Sequence, residues 1–301
     1  MEKKKNIAAS VRQKLTDQFK KTGENLQTLF VRYANERFLY RLSQTEHRTK
    51  FLVKGATVFA FWFDQPHRPT KDLDLLGYGK NEIPEIENIV REICAVKEDD
   101  GLDFLTETIK GSLIREDQEY QGVRITITVM LERARIPVQI DVGFGDAVTP
   151  EAEEVELKTI LDFPPPRVRI YPKETVVAEK FEAMVSLGLG NGRMKDFWDL
   201  NYLIKYAEFD GKLLQTAIRN TFANRQNRLP QELPVALTDD FAANELKLSL
   251  WSGFIRRNSI KIETDFAEVI KHLRDFFTPL IEAEAKNAAF NQMWFPQRGW
   301  Q

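Results

Sequence analysis

The sequence predicts an α+β fold, with a mixed sheet flanked by helices and a helical C-terminal domain after it. Three observations carry this. Apolar residues alternate with period two at 71–76 and 137–142, the pattern of half-buried strands, and 123–131 is rich in β-branched residues. They recur at helical spacing over residues 8–46 and 83–96. From residue 174 the pattern is helical nearly to the end. The expected division is N-terminal helices at 1–48 packed on a core at 49–150, a linker at 151–172, and a helical domain at 173–301.

The elements follow in order. Over 8–46, Leu15, Phe19, Leu26, Leu29, Phe30, Tyr33, Phe38 and Leu42 form the stripe, and Gly23 separates two helices. Phe51-Leu52-Val53 is a short apolar run that ends at Lys54-Gly55. Residues 56–63 are apolar almost throughout, which predicts a buried helix. Pro66 and Pro69 enclose a loop holding His67 and Arg68. A strand at 71–76 ends at Gly77, and the next helix aligns Ile86, Ile89, Val90 and Ile93 on one face. Two strands follow, 123–131, rich in β-branched residues, and 137–142, ending at Gly143. The polar segment 149–172 carries Pro164-Pro165-Pro166, a natural boundary. Helices are then expected at 174–187, 194–207, 213–225 and 266–285, with Gly188, Gly190 and Gly192 interrupting the first pair.

Composition narrows the function. The 301 residues include 43 basic and 45 acidic side chains, a net charge of −2, which excludes a bulk nucleic-acid binder. Any RNA contact must come from local clusters: Arg124, Arg133 and Arg135; Arg167, Arg169 and Lys173; or Arg256 and Arg257 beside Trp251 and Phe254. Such clusters are more often solvated surface. The single cysteine, Cys94, excludes an internal disulfide and suits a reducing compartment. One cysteine and three histidines (His47, His67, His272) leave little from which to build a zinc site. No stretch reads as a signal peptide or a bilayer span, so the expected setting is the cytoplasm with no membrane contact.

The chemistry is expected at Lys71-Asp72-Leu73-Asp74-Leu75-Leu76. Side chains at i and i+2 of a strand share a face. Asp72 and Asp74 therefore project together, opposite Leu73 and Leu75. Adjacent carboxylates repel unless a cation sits between them. Mg²⁺ takes oxygen ligands at about 2.1 Å and commonly uses one or two carboxylates plus substrate phosphates. Asp141, in Val138-Gln139-Ile140-Asp141-Val142, lies on the polar face of a later strand. If the two strands are neighbours, three carboxylates converge, enough for two Mg²⁺ roughly 3.5–4 Å apart in phosphoryl or nucleotidyl transfer. An Asp pair at this spacing is common in solvated turns, but this one is interleaved with core leucines. It also follows Lys54-Gly55-Ala56-Thr57, and Arg68 and Lys71 lie just before it.

Gly55 stands where a strand hands over to a helix, a place that suits a phosphate. Ala56 keeps the approach clear, and the Thr57 hydroxyl offers a hydrogen bond; the plainer reading of Gly55 is a tight turn. Lys180 lies among Val177, Phe181 and Met184, either snorkelling to the surface or aimed at phosphate oxygens. Asp196 shares a helical face with Leu200 and Leu203. It either complements the helix dipole or orients Lys180 or a metal-bound water.

These motifs resemble the AbiEii/AbiGii toxin family of nucleotidyltransferases, which includes the MenT toxins. The resemblance runs from about residue 33 to about 205 and is carried by residues 33–42, by Phe51-Leu52-Val53-Lys54-Gly55-Ala56, and by Arg68-Pro69-Thr70-Lys71-Asp72-Leu73-Asp74-Leu75. Ala178-Glu179-Lys180 and Lys195-Asp196-Phe197-Trp198-Asp199-Leu200 extend it. It implies a DNA-polymerase-β-like core that moves a nucleotide from a nucleoside triphosphate to an acceptor, in the MenT branch the 3′ end of tRNA. It also implies a toxin of a toxin–antitoxin or phage-defence pair, hence a cognate antitoxin. Position by position, Gly55 starts the phosphate-binding motif with Lys54, Ala56 and Thr57, Arg68 and Lys71 flank it, and Asp72 and Asp74 hold metal. Asp141 matches the third carboxylate, and Lys180 and Asp196 the later catalytic positions. Many members have Gly-Ser or Gly-Gly where this chain has Gly55-Ala56, so a phosphate-touching hydroxyl is missing. Rival readings are a kinase-like phosphotransferase on the same metal cradle, a silent nucleotide- or partner-binding scaffold, and transfer to a small-molecule hydroxyl.

Overall fold

The computed structural model describes residues 6–63, 68–114, 122–260 and 265–301. Pro66 and His67 of the expected loop lie outside the described residues. The chain divides into two compact units, Met1–Gly145 with Glu153–Ile170, and Asp146–Ala152 with Tyr171–Gln301.

The first unit opens with α1 (Ile7–Thr22) and α2 (Leu26–Ser43). The Asn6 side chain accepts the Ala9 N–H at the start of α1, and Gly23, at φ 72°, ends it in the left-handed conformation that glycine adopts without strain. Asn25 caps α2 in the same way through the Thr28 N–H. The next elements are β1 (Phe51–Lys54), α3 (Phe59–Trp62), β2 (Asp72–Gly77), α4 (Ile83–Ala95), β3 (Leu102–Ile114), β4 (Gly122–Leu131), β5 (Ala134–Phe144), β6 (Glu153–Glu156) and β7 (Arg167–Ile170). They form one seven-stranded sheet in the order β3-β4-β5-β2-β1-β7-β6. The β2–β5 and β1–β7 pairs are parallel and the rest antiparallel, so the sheet is mixed as expected.

Three expectations change. Residues 56–63 do not form a continuous buried helix: a 3₁₀ turn at Gly55–Val58 leads into the single turn of α3, and Phe61, Trp62 and Phe63 stay partly exposed. Aromatic density there resembled a core helix, but only Val58 and Phe59 are fully enclosed. The segment expected as a linker contributes β6 and β7, which complete the sheet. The long strand β3 was not anticipated, because a register shift between Leu105 and Lys110 breaks its alternation.

One sheet face is apolar: Leu73, Leu75, Ile125, Ile127, Val138, Ile140 and Val142 are almost fully buried. Helix α2 is enclosed nearly all round and brings charge inside with it. Its Arg37 and Arg41 converge on Asp100: Arg37 Nε donates at 3.2 Å, and Arg41 Nη1 and Nη2 at 2.5 and 3.1 Å. Full pairing is what makes buried ions tolerable.

The second unit holds α5 (Lys173–Leu187), α6 (Met194–Tyr206), β8 (Phe209–Asp210), α7 (Gly211–Asn224), α8 (Asp239–Ala243), α9 (Glu245–Arg257), α10 (Phe266–Ala285), β9 (Met293–Phe295) and β10 (Gly299–Trp300). It is the helical C-terminal part that the sequence predicts, with a small three-stranded sheet added. Its core is aromatic: Phe181 stacks on Phe277 at 4.1 Å, and Phe276 meets the edge of Trp294 at 4.8 Å.

Glu36 yields a pH prediction. Burial pushes its carboxyl up to about 7, against the pull of the Ile160 N–H and of Arg37 and Arg32. The folded state then holds a proton at pH values where the unfolded state, near 4.5, has lost it. The stabilisation is therefore complete below that unfolded value and is lost as pH rises through about 7. Urea unfolding across this window should show stability falling with pH in the wild type and a flatter profile in Glu36→Gln.

Candidate functional site

Strand register builds the site. In the β2–β5 pair, Asp74 is the partner of Asp141 and Asp72 that of Gln139. In β4–β5, Arg124 is the partner of Asp141, and in β1–β2, Lys54 is the partner of Asp74. Neighbouring partners share a face, so Arg124, Asp141, Asp74 and Lys54 form a row across four strands. The opposite face holds the buried Leu73, Leu75, Ile140 and Val142, so a slip of one residue would exchange charge for core.

Asp141 is already engaged. Arg124 Nε donates to Oδ1 at 2.9 Å and Nη2 to Oδ2 at 2.7 Å, a bidentate fork, and Gln139 Nε2 adds a bond to Oδ2 at 3.2 Å. The hydrogen bond with Asp141 raises the Arg124 pKa despite slight desolvation, and the charges of Asp141, Asp72 and Asp74 add to the rise. The sequence offers Arg124 only as a member of a basic cluster that could meet RNA; pairing β4 with β5 is what gives it this place.

Gly55 has φ 66°, where an L side chain is strained. A Cβ built there would lie 2.0 Å from Asp74 Oδ2 and 2.7 Å from its Cγ. The glycine therefore makes room for the Asp74 carboxylate itself, a second duty beyond the approach of a phosphate. Ala56 is buried and Thr57 half-buried in the 3₁₀ turn. Lys71 is exposed just before β2, where its carbonyl accepts from Asn35 Nδ2 at 3.2 Å. Arg68 is half-buried, with Nη1 3.5 Å from the Pro69 carbonyl.

The fit to Mg²⁺ is partial. Asp72 and Asp74 supply hard oxygen donors on one face beside a residue with no side chain, which suits one divalent cation. Among the described residues no group of three or more Asp, Glu, His or Cys side chains is gathered to hold an ion. Asp141 shares the face but faces Arg124.

Lys180 and Asp196 lie in the second unit. Lys180 Nζ is 2.6 Å from Asp196 Oδ1 and 2.8 Å from Asp199 Oδ2, and Arg193 Nε is 2.7 Å from Asp196 Oδ2. Burial raises the Asp196 pKa, but Lys180 and Arg193 outweigh it and hold the carboxyl below its ordinary value. The orienting partner considered for Lys180 is thus present. Asp199, which is fully buried and not singled out in the sequence, is a second one; its position one helical turn after Asp196 was the available signal. Of the other basic clusters, Arg167 pairs with Glu154 at 3.0 Å, and Lys173 lies over the Phe209 ring.

The family profile described as the nucleotidyl transferase AbiEii toxin of type IV toxin–antitoxin systems matches residues 37–277. The chain belongs to the AbiEii family. This makes it a nucleotidyltransferase of the toxin side of a type IV system, whose setting implies a nucleoside triphosphate and a cognate antitoxin. Two solved Helicobacter pylori structures are similar to it. JHP933 is 15% identical, with 87% of this chain and 95% of that one covered at a TM-score of 0.49. A protein assigned as a candidate nucleotidyltransferase is also 15% identical, with 87% and 98% covered at 0.50. At this identity the second speaks to the fold alone. No curated protein matches the chain. Among the described residues of this AbiEii-family protein, no helix is long and apolar enough to cross a membrane.

Two outcomes are expected. Gly55→Ala should destabilise the protein by about 1–2 kcal/mol from backbone strain alone, and by more from the clash with Asp74. In an Asp74→Ala background the added cost should shrink, a coupling that a double-mutant cycle in urea reads directly. Lys180→Met leaves Asp196 and Asp199 with too little positive charge and should cost about 3–5 kcal/mol by the same measurement.

Proposed function

We propose that this protein moves a nucleoside monophosphate from a nucleoside triphosphate to the 3′ hydroxyl of a tRNA, using Mg²⁺, as the toxin of a cytoplasmic toxin–antitoxin or phage-defence pair. The single observation that carries the reading is the Asp72–Asp74 pair on one face of β2 beside Gly55, in a chain of the AbiEii family. The acceptor oxygen bonds to the α-phosphorus, the α–β phosphoanhydride breaks, pyrophosphate leaves, and the hydroxyl proton goes to solvent.

Asp72 and Asp74 would hold the cation. When bound, the cation offsets the negative charge of the triphosphate and of the departing pyrophosphate. The protein's own part is positioning and fixed charge. Gly55 keeps Asp74 in place, and Lys54, at the end of β1, adds positive charge beside it. Thr57, Lys71 and Arg68 supply donors near the triphosphate, with Thr57 standing in for the hydroxyl that Ala56 lacks. Lys180 acts on phosphate oxygens, and Asp196 and Asp199 orient it.

The test is incubation with Mg²⁺, total cellular RNA and each α-labelled triphosphate in turn. Label should enter tRNA, and Asp72→Asn or Asp74→Asn should reduce transfer at least about a hundredfold with unchanged circular dichroism. Label arriving from the γ position would instead identify a phosphotransferase. Nucleotide binding with no product on RNA or on small hydroxyl compounds would identify a silent scaffold. Full transfer by both variants would end the proposal.

A further inference from the structure

We infer that Asn35 is a positioning residue for Asp72, holding the entry of β2 from helix α2. The inference deepens the functional reading above and rests on it for the role of Asp72. Helix α2 packs on β5 and β7, and its polar side chains hold backbone groups that lie between strands. Glu36 Oε2 accepts the Ile160 N–H at 2.7 Å, Arg37 Nη1 donates to the Pro164 carbonyl at 2.8 Å, and Arg41 Nε donates to the Val96 carbonyl at 3.1 Å. Asn35 Nδ2 donates to the Lys71 carbonyl at 3.2 Å. Only the last of these contacts falls on a residue directly before a candidate metal ligand.

That carbonyl lies in the peptide plane joining Lys71 to Asp72, so holding it fixes the plane from which the Asp72 side chain departs. Asp72 is where such help matters. The ladder between β2 and β1 runs from Gly77 to Asp74, and the register partner of Asp72 is Gln139 of β5. Asp72 is exposed, and residues 68–71 before it form neither helix nor strand. Asn35 itself is 5% exposed, and its Oδ1 meets no hydrogen-bond partner among the described residues. A carbonyl only accepts, so the amide nitrogen must face Lys71, and the amide oxygen is left over. An unpaired buried acceptor costs stability, and such a group calls for an explanation outside packing. Leucine has the same branching and no polar atom. Lys71 is exposed, so its carbonyl can turn to water once the amide is gone. The fold therefore gains little from this asparagine, whereas the placement of Asp72 gains a fixed starting plane.

The experiment compares Asn35→Leu with the wild type in the full-length protein. Three quantities are read: the urea midpoint, manganese affinity by electron paramagnetic resonance with a non-cleavable α,β-methylene triphosphate present, and transfer from an α-labelled triphosphate. The midpoint should stay level or rise, while manganese affinity and transfer each fall about tenfold or more. Glu36→Gln, one residue along the same helix, should leave both at wild-type values. Unchanged manganese affinity and transfer in a folded Asn35→Leu protein would overturn the inference and leave the functional reading intact. So would an equal loss in Glu36→Gln, or a lowered midpoint with wild-type activity per folded molecule. Asn35→Ala serves where leucine does not fit. If neither variant folds, the side chain belongs to the fold alone and the inference falls. A wild type that binds no manganese and transfers no label would remove the functional reading, and this inference with it.

Discussion

Two carboxylates held side by side on neighbouring strands repel, and the pairing of Asp74 with Asp141 places this protein under that constraint. At such separations the repulsion is on the order of a few kcal/mol at the effective dielectric of a protein surface. The sheet answers with positive charge on both flanks, Arg124 beyond Asp141 and Lys54 beyond Asp74. Cross-strand neighbours of opposite sign stabilise a sheet, whereas like neighbours weaken it. The row thus carries negative charge at its centre and positive charge at both ends, with Gly55 packed close enough to Asp74 that no side chain fits between them.

The row holds its geometry because its strands have little freedom. β2 and β5 lie in the middle of the seven-stranded sheet, and each alternate residue beneath the charges is sealed into the core. Deeper in the same unit, Asp100 draws Arg37 and Arg41 into one cluster and ties α2 to the segment that leads into β3. In the second unit, Lys180 is held by two carboxylates on the next helix. These enclosed clusters differ from the row in one respect. Their charges are satisfied within the protein, as burial demands, while the row opens to solvent at Asp72. Enclosed pairing makes for rigid support, and partial exposure makes for binding.

Much of this was legible in the sequence. Alternation with leucine placed Asp72 and Asp74 on one face, a β-branched run marked β4, alternation marked β5, and Gly23 marked the break between α1 and α2. What escaped notice did so for physical reasons. β3 is an edge strand with a shifted register, so neither period two nor a continuous apolar run exposes it. β6 and β7 are four residues each and surround a proline-rich stretch, and their strand character comes from pairing rather than propensity. The aromatic run after Gly55 looked helical because local composition does not say how much of it a neighbouring element will cover. Asp199 was overlooked because a carboxylate in a helix usually belongs to the solvated face, whereas here Lys180 approaches it from α5.

The place of Arg124 was legible in principle, and the manner of its concealment bears on how such sites are read. Leu131 pairs with Ala134 across the two-residue turn Glu132-Arg133, with Glu132 at φ 56°. Arg124 lies seven residues before Leu131, and Asp141 seven after Ala134, so the hairpin alone brings them face to face. Neither residue announces this by itself, since an arginine on the polar side of a strand is ordinarily solvated and a lone aspartate ordinarily means little. The turn converts two unremarkable residues into a bidentate pair. A motif search weighs Asp141 by its own surroundings; the register weighs it by its neighbour and pairs it with Arg124. Register is the stronger argument, because it follows from the turn and from burial of the opposite face, and neither of these depends on what the site binds.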